Sequence, residues 1–106
     1  MDKKKDRAMK SIEVFIKKVR KIISVEKFIL FGSRARGDYK EGSDIDLVIV
    51  SKDFENLRYI KRSPPFYLLW ESPYDIDIIC LTPKEFTQRV RERGIMRQAV
   101  KEGIEL

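Results

Sequence analysis

The sequence predicts one domain of the α/β (α+β) class, in which a small mixed β-sheet is flanked by helices. Short apolar runs of strand length alternate with longer amphipathic segments, and Gly and Pro residues separate them. The 106 residues, 42% of them hydrophobic, are enough for one modest core. No apolar run reaches the length of a membrane span, and no signal-peptide pattern opens the chain.

Residues 1–24 are expected to be the first structural unit, with an amphipathic helix over residues 6–24. Apolar side chains recur there at the helical period, and lysines occupy the opposite side. The segment holds nine Lys or Arg against three Asp or Glu, which accounts for the whole net charge of +6. Such a face can attract nucleic acid. A solvated helix face is the favoured interpretation, because no aromatic residues are interleaved with the charges.

Residues 27–81 are expected to hold the sheet and the active site, and residues 82–106 the C-terminal helices. Pro64 and Pro65 open a predicted helix through Phe66 to Trp70. Core packing is the favoured interpretation of its Phe66, Tyr67, Leu69 and Trp70 side chains, and a surface for a partner is the alternative. Thr82 and Glu85 form a predicted capping box. The predicted elements are strands 27–31, 44–50 and 74–81, a helical turn 34–36, a polar loop 38–43, a turn near 56–60, and helices from 82 to about 93 and from 95 to 101.

Aspartates at alternate positions mark two of the predicted strands. Asp44 and Asp46 share one strand face, and Asp75 and Asp77 share another. Aspartate is disfavoured in strands, and paired carboxylates repel each other unless a cation lies between them. Carboxylates together with substrate phosphates suit Mg²⁺. An exposed polar sheet face is the alternative, and it carries more weight for Asp75 and Asp77.

A Gly-Ser pair, Gly32 and Ser33, follows the first strand and stands ten residues ahead of the first aspartate. Such a turn offers close backbone approach and a hydroxyl to phosphate groups. The chain has no histidine, so His-based catalysis and His metal sites are excluded. Cys80 is the single cysteine, which fits a reducing interior, and a cytoplasmic location is expected.

The segments Phe-Gly-Ser-Arg-Ala-Arg-Gly (31–37) and Ser-Asp-Ile-Asp-Leu (43–47) resemble the signature of the minimal nucleotidyltransferases of the DNA polymerase beta-like superfamily. The resemblance implies a metal site of two Mg²⁺ ions held by Asp44, Asp46 and Asp77. The family has one acid on the third strand, after an apolar residue, so Asp77 after Ile76 matches it and Asp75 is a neighbour. ATP is the implied donor substrate, with its β- and γ-phosphates at Gly32 and Ser33. Arg34 and Arg36 are further candidates for binding the triphosphate, although loop arginines are more often solvated.

The resemblance also implies a helical protein partner of the HEPN class, with transfer of AMP to a tyrosine of that partner in a toxin–antitoxin pair. This expectation follows from the short chain, which leaves no room for a separate substrate domain. One alternative is a module that binds nucleotide or metal without catalysis and neutralises its partner by occlusion. The other is nucleotidyl transfer to a small molecule.

Overall fold

The structure is a computed structural model that describes residues 3–37, 42–92 and 94–106. Its strands are β1 (Lys27–Phe31), β2 (Ile45–Val50), β3 (Ile76–Leu81) and β4 (Ile104–Glu105). Its helices are α1 (Lys3–Arg20), α2 (Ser33–Arg36), α3 (Tyr59–Arg62), α4 (Pro64–Leu69), α5 (Pro83–Arg91) and α6 (Ile95–Glu102). A 3₁₀ turn spans Lys52–Phe54. No helix in these ranges combines the length and the apolar character needed to cross a bilayer.

The four strands form one mixed sheet in the order β3-β2-β1-β4. β1 pairs antiparallel with both β2 and β4, whereas β2 and β3 are parallel. This confirms the predicted α/β (α+β) class and the mixed sheet. β4 was not predicted, because two residues after Gly103 are too few to show an alternating pattern.

The sheet has one face that is fully covered and one that is partly covered. Ile45, Leu47 and Ile49 of β2 point to the first face and are completely buried under α1 and α4. Asp46, Val48 and Val50 alternate with them and point to the second face, where α5 contributes Phe86 and Val90. The predicted opposition of apolar and acidic side chains along this strand is therefore confirmed.

Helix α1 ends at Arg20, four residues before the predicted end. At Ser24, hydrogen bonds to other parts of the chain take the place of helical ones. Its N–H donates to Asp53 Oδ2 at 2.9 Å, and its carbonyl accepts from the Ser51 hydroxyl. These two partners come from the segment after β2. The early end is thus a tertiary effect that helical periodicity does not reveal.

The predicted capping box of α5 is confirmed. Glu85 N–H donates to Thr82 Oγ1 at 3.1 Å, and Thr82 N–H donates to Glu85 Oε1 at 2.8 Å. The helix ends at Arg91, and Arg93, where its end was predicted, lies outside the described residues. The predicted loop 38–43 also falls largely outside them.

Strand β3 is an edge strand, and its exposed edge is covered by side chains from α3 and α4. Ile78 N–H donates to the Tyr67 hydroxyl at 2.9 Å, and Arg62 donates to the Cys80 carbonyl at 3.2 Å. Satisfied edge groups cannot pair with another strand, so these contacts protect the sheet from edge-to-edge association. Tyr67 remains 42% exposed, so the expectation that it lies in the core is wrong, whereas Phe66 is buried at 4%.

Arg62 connects three elements and should be a large contributor to stability. Its side chain is 6% exposed, donates to the carbonyls of Leu57 and Cys80, and pairs with Glu85 at 2.5 Å. Arg62→Ala is expected to lower the free energy of unfolding by about 3 kcal/mol, at the low end for a broken buried ion pair because Glu85 retains solvent contact. Urea denaturation measures this loss. The exposed Arg58→Ala is the matched control, and equal effects of the two substitutions would contradict the structural role of Arg62.

Candidate active site

Asp46 and Asp77 are direct neighbours across the parallel β2–β3 pair. Adjacent strands lie about 4.8 Å apart, and residues in register project to the same face. Asp46 is half-buried and Asp77 is exposed, so one carboxylate of the pair faces solvent. The structure therefore brings together the acid of the second strand and the third-strand acid that the sequence favoured.

Asp44 and Asp75 lie just before these strands and not within them. β2 begins at Ile45 and β3 at Ile76, so the predicted strand starts at Asp44 and Tyr74 are each too early. Asp44 has no strand partner because the β1–β2 pairing ends at Phe31 opposite Asp46. The Asp75 carbonyl instead accepts from Ile45 N–H at 2.8 Å, and both aspartate side chains are exposed.

Negative charge accumulates around Asp46. Burial raises the pKa of its carboxyl group, and the charges of Asp77 and Asp44, together with a hydrogen bond to Asp77, raise it further. The positive charge of Arg36 acts in the opposite direction. Asp44 and Asp77, the other two acids named from the sequence, thus both act on Asp46, and Arg36 offsets part of their effect.

Gly32 is the residue that allows β1 to approach Asp46 so closely. Its φ is 75° and its ψ is −160°, a region that residues with a Cβ rarely enter. A Cβ at this position would overlap the Asp46 carboxylate and lie 3.2 Å from its Cγ. Glycine is therefore needed here for both backbone conformation and space.

Arg34 makes contacts that the sequence did not reveal. The side chain is 7% exposed, and its Nε donates to the carbonyl of Ser43 at 3.0 Å. Its guanidinium carbon also lies 5.0 Å from the centre of the Tyr74 ring. Ser43 directly precedes Asp44, and Tyr74 directly precedes Asp75. Arg34 therefore links the Gly32–Ser33 turn to the two segments that lead into the acidic strands, and its contact with a triphosphate stays a prediction.

Ser33 and Arg36 occupy the two ends of α2. Ser33 is half-buried at the first position of the helix, next to Gly32. Arg36 is exposed, and its Nη1 lies 3.4 Å from Glu102 Oε2 at the end of α6. Sequence patterns do not reveal this link between α2 and the C-terminal helix, because the two residues are 66 positions apart.

The acidic cluster suits Mg²⁺ by the chemistry of its donors. Asp46 and Asp77 present carboxylate oxygens at one point of the sheet, and their mutual repulsion is relieved by a cation. No group of three or more Asp, Glu, Cys or His side chains among the described residues is gathered closely enough to hold an ion alone. Substrate phosphates usually complete the coordination of Mg²⁺ in such sites.

Cys80 takes no part in this site. Its side chain is buried on the first face of the sheet, opposite to Asp46 and Asp77. Burial raises the pKa of its thiol to about 12, so it remains protonated and unreactive at neutral pH.

Gly32→Ala should destabilise the protein more than the same change at Gly37. Both glycines have positive φ, of 75° and 87°, but only Gly32 has a neighbour where the methyl group would stand. We expect Gly37→Ala to cost about 1–2 kcal/mol of unfolding free energy through backbone strain alone. Gly32→Ala should exceed that value because it also displaces Asp46. Thermal or urea unfolding of both variants provides the comparison, and equal losses would mean that the Asp46 contact is not tight.

The charge of Asp46 should destabilise the metal-free protein at neutral pH. Because its pKa is higher in the folded state than in the unfolded state, ionisation costs stability above the folded pKa. This cost disappears as the pH falls through the folded pKa towards the unfolded one. Asp46→Asn should therefore melt at a higher temperature than the wild type at pH 7 in EDTA, and the difference should shrink on acidification. Asp75→Asn, the same change at an exposed aspartate, is the control, and a lower melting temperature of Asp46→Asn would show that the carboxylate is structural.

Comparison with known proteins agrees with this arrangement. Residues 12–93 match the family model described as "Nucleotidyltransferase domain". Two proteins of Methanocaldococcus jannaschii, each named "Putative protein adenylyltransferase", are similar to the chain. The first is 38% identical over a 74-position alignment that covers 64% of this chain and 74% of the relative. The second is 62% identical over 32 positions, which are 29% of this chain and 32% of the relative.

A solved structure shows the same fold. It comes from Sulfolobus solfataricus, is described as a "putative nucleotidyltransferase", and superposes with a TM-score of 0.73 at 25% identity. The superposition covers 96% of this chain and 81% of that chain. The family match spans β1, the Gly32–Ser33 turn and both acidic strands, which build the site, and it also includes α5. The chain therefore belongs to the nucleotidyltransferase domain family and is a nucleotidyltransferase.

Proposed function

We propose that the protein transfers AMP from ATP to a hydroxyl group of a protein, with Mg²⁺ bound at Asp44, Asp46 and Asp77. The observation that carries this proposal is the pairing of Asp46 with Asp77 beside Gly32. Carboxylates that can hold a cation then stand next to a turn that can receive phosphates. The names of the two M. jannaschii relatives support adenylyl transfer and a protein acceptor.

Each residue has a role that follows from its position. Bound Mg²⁺, as two ions, would neutralise triphosphate charge and lower the pKa of the attacking hydroxyl. Gly32 lets backbone groups approach the β- and γ-phosphates, and the Ser33 hydroxyl donates a hydrogen bond to a phosphate oxygen. Arg36 adds positive charge near the acids. Arg34 holds the Ser43 and Tyr74 segments in place.

The bond changes are those of nucleotidyl transfer. The acceptor oxygen forms a bond to the α-phosphorus of ATP, and the bond from that phosphorus to the bridging oxygen of the β-phosphate breaks. Pyrophosphate leaves, and the hydroxyl proton passes to solvent. Asp44 and Asp46 belong to the donor side of this reaction, and Asp77 to the acceptor side.

The acceptor that we propose is a tyrosine of a helical HEPN-type protein. The support is the resemblance of residues 31–47 to the minimal nucleotidyltransferases, together with the protein acceptor named for the relatives. A tyrosine hydroxyl is a suitable nucleophile, because a nearby cation lowers its pKa of about 10 towards neutrality.

Transfer of label from ATP to protein tests the proposed function. ATP labelled on the α-phosphate is incubated with Mg²⁺, the protein and a lysate of the source organism, and labelled proteins are separated on a gel. We expect one protein to be labelled by the wild type and none by Asp44→Ala/Asp46→Ala. Asp77→Asn should also abolish labelling, whereas the matched Asp75→Asn should retain it. Full labelling with Asp77→Asn would show that Asp77 is not part of the site.

Label that stays on the α-phosphate of bound ATP, without any transfer, would contradict the proposed function. The protein would then be a nucleotide-binding module. Small molecules from the same lysate are separated by thin-layer chromatography. Label found only in the small-molecule fraction would show that the acceptor is a small molecule and not a protein.

Ser33→Ala should weaken transfer without abolishing it. The lost bond is one hydrogen bond to a charged phosphate, worth about 1.5–3 kcal/mol, so kcat/KM for ATP should fall roughly ten- to 150-fold. Steady-state rates at varied ATP concentration give this value. Ser33→Thr retains the hydroxyl and serves as control, and an unchanged kcat/KM in Ser33→Ala would exclude a contact of the hydroxyl with the triphosphate.

A further inference from the structure

Exposed apolar side chains are concentrated on one short stretch of the described chain. Nine large hydrophobic residues are exposed in the described ranges, and five of them lie between positions 57 and 68. Ile60 and Leu68 are the most exposed of all, at 77% and 85%. The five are Leu57, Tyr59, Ile60, Tyr67 and Leu68. Such a concentration on α3, α4 and the turn before them is unusual for a surface that meets only water.

This stretch is held firmly by its buried side. Arg62 joins α3 to β3 and α5, and Phe66 of α4 packs into the core against Phe54 with ring centres 5.9 Å apart. Because these two residues fix the short helices, the apolar side chains on the outer side are presented on a rigid support. Preorganisation of this kind lowers the entropy that binding must overcome.

The charges within this stretch are positive. Between Arg58 and Leu69 the sequence has three cations and no acid. Arg62 is neutralised by Glu85, whereas Arg58 and Lys61 are exposed. Arg89 of α5 adds a further cation, with its guanidinium carbon 5.7 Å from the centre of the Tyr59 ring. A partner that covers the apolar side chains therefore meets cations, which favours acidic side chains on that partner.

The stretch also lies at the edge of the sheet that carries Asp77. The Tyr67 hydroxyl accepts from the N–H of Ile78, the residue directly after Asp77. β3 is the outermost strand on this side, so no other strand separates the α3–α4 region from Asp77. A protein bound here therefore meets the edge of β3, the strand that carries the acid that we assign to the acceptor side of the reaction.

We propose that Leu57, Tyr59, Ile60, Tyr67 and Leu68, with the cations Arg58, Lys61 and Arg89, form a docking surface for the protein acceptor, which presents an apolar segment flanked by acidic side chains. We call this set the α3–α4 surface. The proposal rests on the proposed protein adenylyl transfer and adds where the acceptor binds. Docking at this edge brings the acceptor hydroxyl towards the Asp46–Asp77 pair from the β3 side, whereas Gly32 and Ser33 follow β1, on the other side of β2.

The test compares two double variants of the full chain. Ile60→Glu/Leu68→Glu places negative charge on the α3–α4 surface, and Val14→Glu/Ile22→Glu makes the same change at exposed apolar residues on α1 and the turn after it, 52% and 59% exposed. Labelling of the acceptor from α-labelled ATP is measured for both, beside binding of Mg²⁺–ATP by calorimetry. The surface variant should label the acceptor about tenfold or more slowly, as for loss of central interface residues, with ATP binding unchanged. The α1 variant should behave as the wild type.

A charge reversal examines the acidic character of the acceptor separately. Arg58→Glu/Lys61→Glu leaves the apolar side chains in place, so it should slow labelling through charge alone. Wild-type labelling should fall as salt rises from 50 to 500 mM, because screening weakens the attraction of exposed charges, and the reversed variant should lose this dependence.

The outcomes separate this inference from the proposed function. If the wild type labels no protein, the proposed function fails and the docking surface falls with it. If the wild type and the Ile60→Glu/Leu68→Glu variant label equally, only the docking surface is overturned. Light scattering on the purified protein identifies self-association: a dimer that the surface variant dissociates, with labelling intact, would make the α3–α4 surface a contact between two copies of this chain.

Discussion

The parallel pairing of β2 with β3 is the constraint on which the site depends. It places Asp46 in register with Asp77, although the two residues are 31 positions apart in the chain. A shift of one residue in this register would turn the Asp77 side chain to the opposite face, into the core. The register is fixed because Ile76, Ile78 and Cys80 alternate with Asp77 and are buried on the first face. Hydrophobic burial on one face of the sheet therefore positions carboxylates on the other.

The surroundings of this pair are built from contacts that are distant in sequence. Gly32 gives the space that Asp46 needs, and Arg34 ties the turn after β1 to the segments that lead into β2 and β3. On the outer side of β3, Tyr67 and Arg62 satisfy backbone groups that an edge strand would otherwise expose. The acids thus stand on strands whose ends and edge are both held. A site that must gather like charges benefits from such rigidity, because the repulsion cannot be relieved by movement of the backbone.

The two faces of the sheet have different functions. α1 and α4 cover the first face and bury most of the core, while α5 covers only part of the second face. The part left open on the second face carries Asp46 and Asp77. The basic α1 lies on the opposite side of the sheet from the reaction that we propose, because its apolar side chains pack on the first face and the acids lie on the second. The exposed apolar residues of α3 and α4 lie instead on helices that border the edge of β3, the strand that carries Asp77.

The sequence by itself determined the fold class, the strands β1, β2 and β3 to within two residues, the capping box of α5 and the acids that interact around Asp46. These features depend on local patterns: alternation along a strand, a glycine at a turn and the chemistry of caps. The tertiary structure alone decided the early end of α1, the pairing of β4 with β1, the burial of Arg34 and Arg62, and the exposure of Tyr67. An arginine or tyrosine side chain is long enough to be either solvated or buried, and the hydrogen-bond partners described for Arg34, Arg62 and Tyr67 lie from 5 to 23 positions away. Which of the two occurs depends on distances between elements, and the chain acquires those distances only when the sheet has formed.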